Sequence, residues 1–279
     1  MKLLHDDLKS INEYLKNHNG ITIDDNILEL LKKRKKEFVE RNQQTDAKKV
    51  WCLQQIFIVK KHYITAYNSL CKKEFYKAWC EFDRADIELS FLTKHLDISD
   101  NRYNLKFISH QIRNFQKLFP YRSFMSREAI IKKSVCNICG KTIGIKNSCE
   151  HKIGEIYNGE MCSRSIKDLD VLGFSYVKNP FDKYTVLFPK DMEYNYKKLE
   201  NLIEHLNSPF EKWKVVIEKT RKPEFKKCCR NNPCPCGSGL KYKECCWITG
   251  NDSFDHYKIL FLDKPKGIIK PLEIVSTWK

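Results

Sequence analysis

Two cysteine pairs, Cys234-Pro235-Cys236 and Cys245-Cys246, stand eight residues apart near the end of the chain. No other stretch limits so tightly what its surroundings can fold into. Two close pairs joined by a turn bring four thiolates to one tetrahedral ion, and Zn²⁺ suits such soft ligands. Gly237 and Gly239, inside the loop, permit the positive φ angles that fold it back over a metal. Pro233 and Pro235 stiffen the first pair, which limits the entropy lost on ordering. Tyr242 and Trp247 supply apolar cover. The spacing predicts a zinc site made by Cys234, Cys236, Cys245 and Cys246.

The run from Arg230 to Cys246 resembles the SEC-C motif, a short zinc knuckle found at the C-terminus of the SecA translocase and attached to other bacterial proteins. It departs from the usual pattern at Asn232, where an acid is common, and at Leu240 and Glu244, where lysines are common. Trp247 follows the last cysteine. The resemblance implies the same four metal ligands. In SecA the knuckle contacts a chaperone and the ribosome, so it also implies a macromolecular partner. A module of this kind does not by itself specify an activity.

A second cluster begins at Cys136-Asn137-Ile138-Cys139-Gly140 and continues through Cys149-Glu150-His151 to Cys162. A C-x-x-C-G turn offers two sulfurs, and C-x-H offers two more donors from one extended segment, because alternate side chains share a face. Cys136, Cys139, Cys149 and His151 form the expected set. Cys162 is either a nearby free thiol or a replacement for Cys149 or His151. This stretch is similar to a zinc-ribbon element of phage head-maturation and related bacterial proteins. The similarity implies metal ligands and a following strand, without any protease site.

The chain has 279 residues and a formal net charge of +16. Such an excess favours an acidic partner, whether nucleic acid, a ribosome or an anionic surface. Thirteen cysteines with ligand-like spacing, and no apolar leader in Met1–Asn19, point to a reducing cytoplasm and to metal instead of disulfides. No apolar run is long enough for a transmembrane helix.

Hydrophobic periodicity predicts helices up to about residue 120. Leu4, Leu8, Ile11 and Leu15 mark the first; Ile27, Leu31 and Phe38 mark a second, capped by Asp24 or Asp25. Its Lys32–Lys36 run is expected to face water. Residues 46–95 read as a long helical hairpin that turns near Cys71–Glu74, with Cys52, Cys71 and Cys80 as small buried residues. A further helix carries Tyr103, Ile108, Ile112 and Phe115.

Beyond the second cluster, Phe174–Val177 and Tyr184–Phe188 are expected to pair as a hairpin. Helices are expected on both sides of Asn207-Ser208-Pro209, the second carrying Phe210, Trp213, Val216 and Ile217. Thr220–Lys227 reads as a basic linker, and Tyr257–Leu262 with Ile268–Val275 as a terminal hairpin. Spacing gives Cys228-Cys229 no role.

The expected architecture is mainly α with small α+β zinc modules. It comprises an N-terminal helical domain (1–125), a central zinc-ribbon-like unit with a β-hairpin and following helices (126–220), and the SEC-C knuckle with a terminal hairpin (221–279). Motif spacing supports no nucleotide-binding, serine-hydrolase or zincin site. The leading expectation is a zinc-binding protein with two Zn²⁺ that contacts nucleic acid or a ribonucleoprotein. Arg221, Lys222, Lys226, Lys227, Arg230, Lys241 and Lys243 are its phosphate contacts, and Tyr242 a stacking ring. Two alternatives are a protein-binding adaptor in secretion, chaperone or phage-defence pathways, including a prophage setting, and a hydrolase or nuclease whose residues are scattered.

Overall fold

The computed structural model describes residues 8–269, 272, 274 and 276–278. Leu4 lies outside them, as do Lys270, Pro271, Glu273 and Val275 of the expected terminal hairpin.

Helix α1 (Leu8–Asn17) buries Ile11 and Leu15. Helix α2 (Asn26–Glu40) buries Ile27 and Leu31, and at its start the Asp24 carboxylate accepts the Asn26 N–H at 3.0 Å. Helices α3 (Gln44–Cys71) and α4 (Phe75–Leu92) form the expected hairpin. The turn between them is closed by Lys73 at φ +60°, with the Glu74 N–H donating to the Ser69 carbonyl at 2.8 Å. Buried side chains run right round α3, from Val50 and Trp51 to Phe57, Tyr63 and Ile64. A helix buried on every side is the centre of a bundle, whereas a single apolar stripe marks its periphery. Helix α5 (Leu105–Leu118) completes the core, with Phe115 stacked on Phe82 at 4.7 Å. Of the three isolated cysteines expected inside, Cys80 is buried and Cys52 half-buried, but Cys71 is exposed. It is the last residue of α3, at the turn into α4.

Strand β1 (Phe124–Cys136) pairs antiparallel with β5 (Arg164–Val177) along most of its length. The short β2 (Thr142–Ile143) adds to the far end of β1. Strands β3 (Ile156–Tyr157) and β4 (Glu160–Met161) form a tight hairpin. The expected pairing of Phe174–Val177 with Tyr184–Phe188 does not occur. Val177 is already the partner of Phe124, and the later segment instead runs along Ser123–Met125. There the Met125 N–H donates to the Thr185 carbonyl at 2.8 Å, and the Leu187 N–H to that of Ser123 at 3.0 Å.

Helix α6 (Lys197–Glu204) buries Leu199 and Leu202 as expected. The helix expected after Ser208-Pro209 is instead strand β6 (Trp213–Arg221). Its Val215-Val216-Ile217 run is β-branched, which favours an extended chain, and Trp213 and Val215 are buried at a spacing of two. Its partner is β7 (Ser253–Phe261) in unbroken register. The Tyr257–Phe261 stretch pairs backwards to β6, and among the described residues it has no other strand partner. The chain divides into two compact units: one runs to Glu211 and resumes from Pro265, and the other is Lys212–Lys264.

Phe82 is fully buried at the meeting of α4 and α5. Phe82→Ala is expected to cost about 3–5 kcal/mol of stability, measured by urea denaturation with unchanged m-value.

Candidate metal centres

The central cluster begins where β1 ends. Gly140, at φ +70°, closes the C-x-x-C-G turn by donating its N–H to the Cys136 carbonyl at 2.8 Å. The β3–β4 hairpin turns through Asn158 and Gly159, both at positive φ, the conformation a two-residue type I′ connection requires. That turn returns the chain so that the Cys162 N–H donates to the Glu155 carbonyl at 2.7 Å.

The donor atoms of Cys136, Cys139, Cys149 and His151 then all lie within 4.8 Å of one another. Cys162 is buried, with its Sγ 3.9 Å from that of Cys136, beside this group of four and not part of it. Zinc–sulfur bonds of about 2.3 Å set the edge of a tetrahedral thiolate site at about 3.8 Å. The Cys136–Cys162 separation matches that edge and is far too long for a disulfide. His151 sits edge-on to Tyr157 at 4.6 Å, and its buried Nδ1 has no hydrogen-bond partner among the described residues. A buried, unpartnered imidazole nitrogen beside thiols is chemically suited to a metal. Backbone N–H groups, Cys139 first, pull the Cys136 thiol down to about 6. Burial pushes that of Cys162 up to about 11.

Residues of the helical domain for which sequence suggests no such role fix this cluster in place. His95 Nε2 meets the Gly154 carbonyl at 2.7 Å. The Gln44 amide donates to the Asn158 side chain at 2.8 Å and accepts the Asn158 N–H at 3.0 Å. Lys35, from the basic run of α2, is ion-paired with Glu160. A Cβ on Gly159 would stand 2.7 Å from Lys35 Cγ. No local signal marks these residues, because their partners lie far away in sequence, 59 positions for His95 and 114 for Gln44.

In the second unit, β6 leads into a 3₁₀ turn at Pro223–Phe225. Phe225 is buried against Tyr242 at 5.5 Å, so Thr220–Lys227, which spans the end of β6 and this turn, is a folded part of the module that anchors it through Phe225 and is not a linker. The Cys234 N–H donates to the Leu240 carbonyl at 2.9 Å and the Tyr242 N–H to that of Asn232 at 2.9 Å, folding the glycine loop back. Cys246 opens the short helix α7 (Cys246–Thr249). The sulfurs of Cys234, Cys236, Cys245 and Cys246 lie within 4.8 Å of one another. Cys236 and Cys245 are separated by 3.5 Å, and Cys245 and Cys246 by 3.9 Å, again near the tetrahedral edge. A hydrogen bond from Ser238 leads the causes that draw the Cys236 thiol down to about 6. Burial pushes that of Cys246 up. Cys228 packs against this cluster without joining the four.

Tyr242 is wholly buried. Its hydroxyl donates to Asp252, and burial pushes it up to about 12. The ring is therefore core, and the expected stacking role for it is not available. Trp247 remains partly exposed, with the Arg221 and Arg230 guanidiniums 4.7 and 5.3 Å from its ring. Lys226, Lys227 and Lys241 are exposed, Lys222 and Lys243 half-buried.

Four converging cysteines on a scaffold this small form a knuckle that could hold a metal ion. The particular module is SEC-C: residues 230–247 match the SEC-C motif family. The chain is 41% identical over 54 residues to the protein translocase subunit SecA of Aliarcobacter butzleri, covering 19% of this chain and 6% of the translocase. It is 38% identical over 72 residues to that of Campylobacter jejuni, covering 23% of this chain and 8% of the translocase. The chain thus spans less than a tenth of the length of either relative. No solved structure gives a significant match.

Gly159→Ala is expected to destabilise the protein by about 1–2 kcal/mol, from the positive φ alone, and to loosen the Lys35 contact; calorimetric melting checks it. Tyr242→Phe leaves the Asp252 carboxylate without its hydroxyl donor and should cost about 1.5–3 kcal/mol, read from denaturant unfolding of the zinc-reconstituted protein.

Proposed function

We propose that this chain is a non-catalytic zinc protein that binds nucleic acid or a ribonucleoprotein through basic side chains held in place by two structural Zn²⁺ sites. The observation that carries the metal reading is the convergence of four donor atoms to within 4.8 Å of one another in each cluster, which is the compactness a tetrahedral zinc site needs. Cys234, Cys236, Cys245 and Cys246 would hold one ion. Cys136, Cys139, Cys149 and His151 would hold the other, with Cys162 beside them as the competing donor. A bound Zn²⁺ would supply a closed cross-link, with protein side chains as its ligands and no position left for water. The residues around each cluster do the rest. Backbone N–H groups orient the sulfurs, Tyr242 and Phe225 exclude water, and His95 and Gln44 tie the central site to the helices.

Support for a polyanion partner comes from the knuckle's surface, where Lys226, Lys227, Arg230 and Lys241 are all exposed. The net charge of +16 points the same way. Phosphates would meet these cations with release of counterions, and the partly exposed Trp247 offers a stacking ring. A cytoplasmic setting, where thiols stay reduced and free to take a metal, fits this reading. No helix among the described residues is long and apolar enough to cross a membrane. A second reading, a protein-binding adaptor, is favoured by the likeness to SecA, whose name records a place in translocation.

The test combines elemental analysis with RNA and DNA titrations of the same sample. Two zincs per chain are expected, falling to one in a Cys234→Ser, Cys236→Ser variant. Changing Lys226, Lys227, Arg230 and Lys241 to Gln should weaken binding for all sequences. The slope of log K against log salt should shrink by about 0.7–0.9 for each phosphate no longer neutralised. A single zinc that disappears with the knuckle cysteines would refute the central site. Salt-independent binding, or none, would refute the polyanion reading in favour of the adaptor.

A further inference from the structure

The ribbon formed by β1 and β5 has an unusual surface. Between Arg127 and Lys133 on one strand, and between Ile166 and Tyr176 on the other, nearly every residue is exposed, on both sides of the sheet. The register sorts these residues. Met125 faces Tyr176, Arg127 faces Phe174, Ala129 faces Val171 and Ile131 faces Leu169. Directly opposed residues share a face, and residues two apart on one strand share it too. The extra residue on β5 between Gly173 and Val171 keeps the two halves of this face in phase. One face of the ribbon is therefore largely apolar for four successive pairs. Its large side chains are open to water: Phe174 is 63% exposed, Tyr176 58%, Ile131 56%, Val171 49% and Leu169 40%. The other face is mixed, carrying Ser126, Glu128, Ile130 and the pair Lys132–Asp170.

A two-stranded ribbon is marginally stable in water by itself, and a contiguous apolar patch on a sheet marks a contact surface. We propose that this apolar face is the site where a second copy of the chain docks, ribbon against ribbon, as a two-fold dimer. Three features favour a second copy. The four pairs carry a single charge, Arg127, and that charge is already matched by Asp182 at 3.6 Å, so two such faces meet without an unpaired ion between them. Large Phe174 and Ile131 flank small Ala129 along the face, the alternation that two stacked sheets need to interdigitate. Five large side chains, each offering on the order of 100 Å², give about 500 Å² per copy and about 1,000 Å² in total. That is the lower bound for a specific interface and implies a reversible dimer. A two-fold contact is self-complementary, the commonest arrangement for identical chains. The dimer rests on the ribbon face alone and not on the polyanion role proposed above.

Sedimentation of the full-length, zinc-replete protein over a concentration series decides it. A monomer–dimer equilibrium is expected that tightens as salt rises, because the contact is apolar and the copies repel through their net charge of +16. Leu169→Lys and Phe174→Lys alter exposed positions and should leave melting temperature and zinc content unchanged, while each weakens dimerisation at least about tenfold. Hydrogen exchange should slow in 127–131 and 169–174 of the unaltered protein as concentration rises, and not in the variants. A chain that stays monomeric throughout overturns the proposal. So does a dimer unaffected by both substitutions, or a ribbon protected only when nucleic acid or another protein is added.

Discussion

In the second unit one buried apolar cluster joins Phe225, Tyr242 and the side chains of Cys234 and Cys246, with Cys228 and Cys245 packed against it. Two of its four buried members are candidate metal ligands. A module spanning Lys212–Lys264 has too little interior to be held by hydrophobic burial alone, and chains of this size ordinarily need a metal, disulfides or a partner. The other features of the knuckle follow from the need to bring four sulfurs together. Backbone hydrogen bonds from Cys234 and Tyr242 fold the loop, and the buried Tyr242–Asp252 bond ties it to the start of β7.

The same constraint operates differently in the larger unit. There the helices already have a conventional core, with α3 surrounded and Phe82 in contact with both Phe115 and Phe119. The central cluster is attached to that core and does not substitute for it. His95, Gln44 and Lys35 reach it from three separate stretches of chain. A disturbance of the central site would be felt along β1 and β5, because Cys136 ends one strand and Cys162 stands just before the other. The apolar ribbon and the metal cluster are thus ends of one element.

Basic residues near the knuckle divide into two kinds. Arg221 and Arg230 are engaged with Trp247, where a cation over an indole face contributes about 0.5–1 kcal/mol at exposed positions. Lys226, Lys227 and Lys241 are exposed. On the polyanion reading, a phosphate arriving at this surface would meet guanidiniums held against Trp247 beside exposed ammonium groups. Fixed groups lose less entropy on contact, and so fit the anchoring part of such a surface.

Both cysteine clusters were legible in the sequence because a metal site imposes a local code: ligand spacing, glycines at the turns and prolines beside the ligands. The helical hairpin from Gln44 to Leu92 was legible for a similar reason, since periodicity near 3.6 residues is a property of the segment itself. Strand β1 was not, because Ala129-Ile130-Ile131 followed by Lys132-Lys133 has no clean alternation, and irregularities in its register break the pattern further. Trp213–Arg221 resembles a helix in sequence because Trp213, Val216 and Ile217 also fit a helical stripe, and only pairing with Ser253–Phe261 selects the extended form. Tyr242 has the sequence context of a surface ring, yet Phe225 and Asp252 enclose it. Ligand spacing and helical periodicity, both local properties, were enough to say which sulfurs could share an ion and where the first helices run. Tertiary structure alone decided which strands pair, which rings are enclosed and which apolar face is left open. Those outcomes depend on contacts between residues far apart in the chain, whose energies no local window contains.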